Sequence, residues 1–207
     1  MQRLKTCVVV AAAAALVANG YAAANQFANP GFEDPITSDG PPFVGSWEGF
    51  AGPGATSANS AVMPRSGAGH VDLSIGQLNS FAGVFQDVPV IAGEEWSFMG
   101  WHKAIEQANV GPEVRIEWRD SVGDVEISRT PNLVPLLSSD YTMFNLVATV
   151  PAGADLARAV YAIQTFSVPG PGTVFIDDFS FKVPEPATVM LLGLGGLALV
   201  GFRRRRW

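Results

Sequence analysis

The chain has 207 residues, with 13 Lys and Arg, 19 Asp and Glu, two His and one Cys. Nucleic-acid binders need a basic surface and disulfide-stapled scaffolds need many cysteines, so both classes are excluded. A hydrophobic fraction of 48% beside a charged fraction of 15% arises largely from the two ends, which therefore need separate reading.

At the N-terminus, Arg3 and Lys5 precede an alanine-rich apolar run from Cys7 to Val17, and Ala22-Ala23-Ala24 supplies small residues at both positions of an A-x-A cleavage site. This order predicts a secretory signal peptide over residues 1–24, cut near Ala24. The run is too short to span a bilayer. Cys7 leaves with it, so the exported chain has no thiol chemistry.

Residues 25–183 number 159, close to the commonest size of a single domain. They hold seven basic and eighteen acidic side chains, a net charge of −11, which favours solubility and disfavours phosphate backbones and anionic lipid. Short apolar alternations separated by Gly- and Pro-rich turns, with no sustained 3.6-residue period, predict an all-β domain. Strands are expected at 70–75, 83–88, 96–103, 114–119, 124–129, 141–150, 157–166 and 173–182. The fourth is the clearest, because Val114, Ile116 and Trp118 alternate with Arg115, Glu117 and Arg119. About eight strands in one domain suggest a two-sheet jelly-roll sandwich. In the last strand, simple alternation puts Asp177 and Asp178 on opposite faces, which leaves one carboxylate buried or liganded.

Trp47, Trp101 and Trp118 are the large ring platforms on which a sugar face stacks. Core packing is the ordinary role of an aromatic in a sandwich, and Trp118 sits in a core-like alternation. Trp101 is the favoured exposed candidate, since it shares a face with Ser97, Met99 and Lys103. Trp47, among Gly and Ser, reads as a loop residue. Catalysis is poorly supplied. His70 and His102 are the only histidines, without zinc-ligand spacing, and no nucleophile elbow or H-E-x-x-H occurs. A glycosidase needs two carboxylates, for which Glu117 and Glu126 on neighbouring strands are the available pair, although acidic residues on a solvated sheet face explain them equally.

Several segments together resemble the galactose-binding-type jelly rolls that include many carbohydrate-binding modules. They are Asn29-Pro30-Gly31-Phe32-Glu33, Gly83 to Val88 with Ala92 to Trp96, Pro151 to Ala154, and Asp177-Asp178-Phe179-Ser180-Phe181. The resemblance implies a structural calcium between the first and last strands, with Glu33 and Asp178 as side-chain ligands. The alternative is that Glu33 caps a turn and Asp178 accepts backbone amides.

The C-terminus reads Val183-Pro184-Glu185-Pro186, an apolar stretch over 187–202, then Arg203, Arg204, Arg205, Arg206 and Trp207. As a helix the stretch measures about 24 Å against a hydrocarbon core of about 30 Å, so it spans with local thinning and snorkelling arginines. The arginines stay cytoplasmic and everything before the helix lies outside. Residues 183–207 resemble the PEP-CTERM sorting signal of Gram-negative bacteria. That implies an exosortase-type processing enzyme as partner, cleavage near Pro-Glu-Pro, and a membrane helix that serves as a temporary anchor. Hydropathy alone supports a permanent anchor as well. The sequence thus predicts an exported, non-enzymatic protein of the cell envelope or extracellular matrix, whose sandwich binds polysaccharide and not nucleic acid. A secreted glycan-active hydrolase and a purely structural matrix protein are the alternatives.

Overall fold

The computed structural model describes residues 24–105 and 108–184, in which residues 25–183 form one compact unit. The expected signal peptide up to residue 23, the helix over 187–202 and the arginine cluster lie outside the described residues. Ten strands appear in the order β1 (Glu48–Ala51), β2 (Ala55–Ser60), β3 (His70–Ile75), β4 (Phe81–Pro89), β5 (Glu95–Ile105), β6 (Gly111–Asp120), β7 (Val125–Arg129), β8 (Thr142–Thr149), β9 (Leu156–Gln164) and β10 (Gly172–Lys182). All eight expected strands are among them. β1 and β2, with sequences EGFA and ATSANS, lack the β-branched and alternating pattern that marks a strand and are held by their partners instead.

The strands form two five-stranded sheets, β1-β4-β9-β6-β7 and β2-β3-β10-β5-β8, all paired antiparallel. The fold is a β-sandwich whose inner faces make the core. On β6 the expected alternation holds, with Val114, Ile116 and Trp118 buried. On β10 it breaks. Val174 and Ile176 point inward, the register against β5 shifts between Asp177 and Ser180, and Asp178 adopts φ 50°. The bulge changes the phase, so that Phe179 and Phe181 also point inward.

Phe179 then becomes the hub of an aromatic core, 5.2 to 5.5 Å from Phe32, Phe98, Phe144 and Trp47. These are the tilted and edge-to-face distances that aromatic quadrupoles favour. Gly100 on β5 makes room for it, since a β-carbon there would lie 2.3 Å from Phe179 Cδ1.

Candidate functional site

The most unusual surface is the outer face of the first sheet. Phe81 and Phe85 occupy alternate positions of β4, and Phe50 of β1 pairs with the Gly83 between them. The Phe50 ring lies against that glycine, where a β-carbon would sit 2.4 Å from Phe50 Cζ. Ring centroids are 6.1 Å apart for Phe50 with each of Phe81 and Phe85, 6.2 Å for Phe81 with Phe166, and 4.9 Å for Phe43 with Phe85. Phe166 is 60% exposed and Phe81 36%. Five phenylalanines linked by successive ring contacts, with Phe81 and Phe166 open to water and Phe43, Phe50 and Phe85 half-buried, form an apolar bank on this face.

Beside the bank runs a polar one. The β4-β9-β6 register sets Phe85, Val160 and Arg115 in one row, and Gly83, Ala162 and Glu113 in the next. The small side chains of Ala162 and Val160 therefore lie between the phenylalanines and the Glu113-Arg115 pair. Arg158 closes the aromatic side, its guanidinium 4.8 Å from the Phe43 centroid and 4.4 Å from Phe85. The buried Asp87 holds it by two 2.8 Å bonds, a bidentate arrangement that fixes the guanidinium plane. Further along, Glu117 accepts from Arg115 at 2.8 Å and Arg119 at 3.1 Å. Burial alone would raise the Asp124 carboxyl, but Arg119 and Arg158 together hold it below its ordinary value.

This network bears on Glu117 and Glu126. Glu126 is bound by Arg129 at 2.6 Å through both oxygens, and that bond holds its carboxyl below the usual range. A glycosidase acid needs a raised pKa. The pair is built as an ion ladder.

Of the expected ring platforms, Trp47 falls differently from the sequence reading. Trp47 is 2% exposed and donates its indole N–H to the Asn29 carbonyl at 3.0 Å, so it is a core residue and not a loop platform. Trp118 is 3% exposed, on the inner face of β6. Neither offers a ring to solvent. Trp101 does lie on the outer face of the second sheet, half-buried, with the Arg65 guanidinium 3.8 Å above its ring.

That arginine belongs to the loop before β3, which is tied to the acidic pair of β10. Asp177 accepts the backbone N–H groups of Arg65 at 2.8 Å and Ser66 at 3.2 Å, and Asp178 accepts the Arg65 guanidinium and the Ser66 hydroxyl. The two carboxylates thus serve one side, contrary to the alternation expected from sequence, because the bulge falls at this point. Burial pushes the Asp177 carboxyl up to about 6 against the pull of the Ser66 N–H, and the Asp178 charge adds to the rise. Glu33 accepts the Ala68 N–H at 2.9 Å. Both expected calcium ligands come near Gly31, since a β-carbon on it would be 3.5 Å from Glu33 Oε1 and 3.7 Å from Asp178 Oδ1. Among the described residues no three His, Cys, Asp or Glu side chains converge as a metal shell. His70 and His102 lie on opposite faces of the second sheet, His70 beneath Phe175 and His102 against Tyr161.

The phenylalanine bank escaped the sequence reading. Its signal was Phe81 and Phe85 at even spacing on β4, opposite in phase to the buried Ala82, Val84 and Val88.

Comparison with known proteins adds two findings. The model of the PEP-CTERM protein-sorting motif matches residues 182–206, and a search of curated protein sequences finds no match. Among solved structures, the enzymatically active domain of bacteriophage CBA120 tailspike protein 4 superposes with a TM-score of 0.60 at 16% identity, over 77% of this chain and 21% of that one. The chain thus spans about a fifth of the length of that domain. TmCBM61, solved with beta-1,4-galactotriose, gives 0.54 at 14% identity over 78% and 99%. The CBM22-1 xylan-binding domain from Paenibacillus barcinonensis Xyn10C gives 0.53 at 16% over 76% and 93%. At these identities the likeness is one of fold. The chain carries a PEP-CTERM sorting motif at its C-terminal end, on a jelly-roll β-sandwich of the kind found in carbohydrate-binding modules.

Proposed function

We propose that the protein is an exported, non-enzymatic component of the bacterial envelope or extracellular matrix that binds polysaccharide along the outer face of its first sheet. The observation that carries this reading is the water-exposed phenylalanine bank lying parallel to a row of half-buried charged side chains. Sugars present apolar C–H faces and a belt of hydroxyls, and a surface with rings on one side and paired donors and acceptors on the other matches both. The guanidinium-bound state of Glu117 and Glu126 supports binding without hydrolysis. The sorting motif supports delivery to the cell surface by an exosortase-type enzyme.

The test is retention of the exported domain on a panel of insoluble and gel-embedded polysaccharides. Wild type is retained by at least one, and Phe81→Ala and Phe166→Ala each lose about tenfold or more, as expected for removing a stacked ring. Retention that survives both substitutions but fails in Trp101→Ala moves the site to the second sheet. No retention on any glycan returns the reading to a structural matrix protein.

Calcium belongs to the same proposal, and what supports it is that one β-carbon position on Gly31 lies within 4 Å of both Glu33 Oε1 and Asp178 Oδ1. In the structure Arg65 already neutralises Asp178, so the ion competes with a guanidinium. A chelator that leaves the melting midpoint unchanged, after confirmed metal removal, withdraws calcium from the account.

A further inference from the structure

The strand that leads into the sorting motif is held on both edges. β5 covers one edge of β10 as far as Lys182, but β3 reaches along the other only to Ile176, which pairs with Val71. The remaining edge is taken by residues just after the expected signal-peptide cut. Asn25 donates its side-chain amide to the Phe179 carbonyl and accepts the Phe181 N–H, both at 2.9 Å, and the Gln26 N–H donates to the Phe181 carbonyl at 2.9 Å. Phe27 then stacks on Phe181 with centroids 5.5 Å apart. Asn25 Oδ1 also accepts the Phe27 N–H at 3.2 Å, and Ala28 exchanges two bonds with the buried Gln86. Val183 still packs on the core, and the matched motif begins at residue 182. Fold and motif therefore meet with no spacer.

Enzymes that cut peptides take the chain as a single extended strand whose main-chain groups they bind themselves. Through Phe181 those groups are already used on both sides. We infer that the strap formed by Asn25 to Ala28 sets the boundary of C-terminal processing. The released domain keeps every residue through Val183, and cutting any earlier bond requires the strap to let go of β10. This rests on the sorting reading. In the reaction, one amide on the C-terminal side of Val183 breaks. Its carbonyl carbon passes to an incoming nucleophile, either water or an acceptor amine or hydroxyl, and its nitrogen leaves with a proton as the amine of the apolar segment. Because the first residues of the 25–183 domain bond to its last strand at Phe181, a domain trimmed at each end stays closed by the same hydrogen bonds.

The experiment is trypsin digestion of the detergent-solubilised full chain under native conditions, following the Lys182–Val183 bond by mass spectrometry. Wild type is cut there slowly, whereas Asn25→Ala and Gln26→Pro, which remove the side-chain clamp and the Gln26 N–H respectively, are cut about tenfold or more faster because local opening becomes cheaper. Rates equal to wild type in a folded variant overturn the inference. Hydrogen exchange of wild type needs no variant. The Phe181 amide is expected to be protected comparably to that of Ile176, and fast exchange at Phe181 overturns the inference. On the native cell-surface form, a new C-terminus created by processing at or after Val183 supports it and one at Lys182 or earlier overturns it. An intact Trp207 counts against the sorting reading alone, the strap being decided by the digestion rates.

Discussion

His102 Nδ1 and the Tyr161 hydroxyl lie 2.7 Å apart between the two sheets, joining β5 to β9 inside an otherwise aromatic core. Both residues are almost wholly buried. A buried polar atom that loses its partner bears its full desolvation cost. Tyr161→Phe is therefore expected to destabilise the domain by roughly 1–3 kcal/mol, a fall of about 2–10 °C in melting midpoint for a domain of this size. Replacing His102 with Phe in the same chain should cost less than the sum of the two single changes, because neither partner of this bond is then left unpaired by loss of the other. Additive losses would show that the pair is not coupled.

Two buried groups give the domain opposing responses to acid. Burial lowers His102 to about 4, against a weaker opposite effect from the Leu136 backbone, while burial raises Asp177 to about 6. Unfolded His102 takes up its proton near 6.5, so its contribution to stability is complete above that pH and is lost as pH falls from 6.5 to 4. Folded Asp177 binds its proton more readily than the unfolded chain does, so acidification from about 6 toward 3.8 adds stability. The two slopes offset one another in wild type. Asp177→Asn removes the compensating one, and its melting midpoint should fall more steeply between pH 6 and 4 than that of wild type. Parallel curves would refute the assignment.

How far the sequence reading went follows from what each residue depends on. The face of β6 could be read because Val114, Ile116 and Trp118 are placed by a period of two, a property of neighbours along the chain. The Asp177-Asp178 pair was misplaced because a bulge depends on the partner strand, and local alternation carries no trace of it. Trp47 looked like a loop residue among glycines and serines, yet Phe27, Phe32 and Phe179 enclose it from distant parts of the chain. The phenylalanine bank draws Phe43, Phe50, Phe81, Phe85 and Phe166 from two strands and two loops. No single window of sequence contains it.

Asp87 is expected to be the residue on which the polar end of the bank depends. It is 3% exposed and supplies both oxygens to Arg158, whose guanidinium lies against the Phe43 and Phe85 rings. Asp87→Asn leaves that cation with the more exposed Asp124 alone. A loss of about 2–3 kcal/mol is expected, below the roughly 3–5 kcal/mol of a fully buried pair. A urea midpoint indistinguishable from wild type would mean that Asp124 suffices.

Gly83 tests whether the bank is shaped by its floor. An alanine β-carbon there meets Phe50 Cζ at 2.4 Å and the Tyr161 carbonyl at 2.6 Å, one a movable ring and the other fixed backbone. Gly83→Ala should therefore cost about 1–3 kcal/mol and push Phe50 out of line with Phe81 and Phe85. Phe50→Ala relieves only the first clash. A double-mutant cycle should accordingly recover about 0.5 kcal/mol or more, with the remainder lost to the Tyr161 carbonyl. Recovery of the whole loss would place the strain entirely in the ring, and no recovery would show that Phe50 does not rest on Gly83.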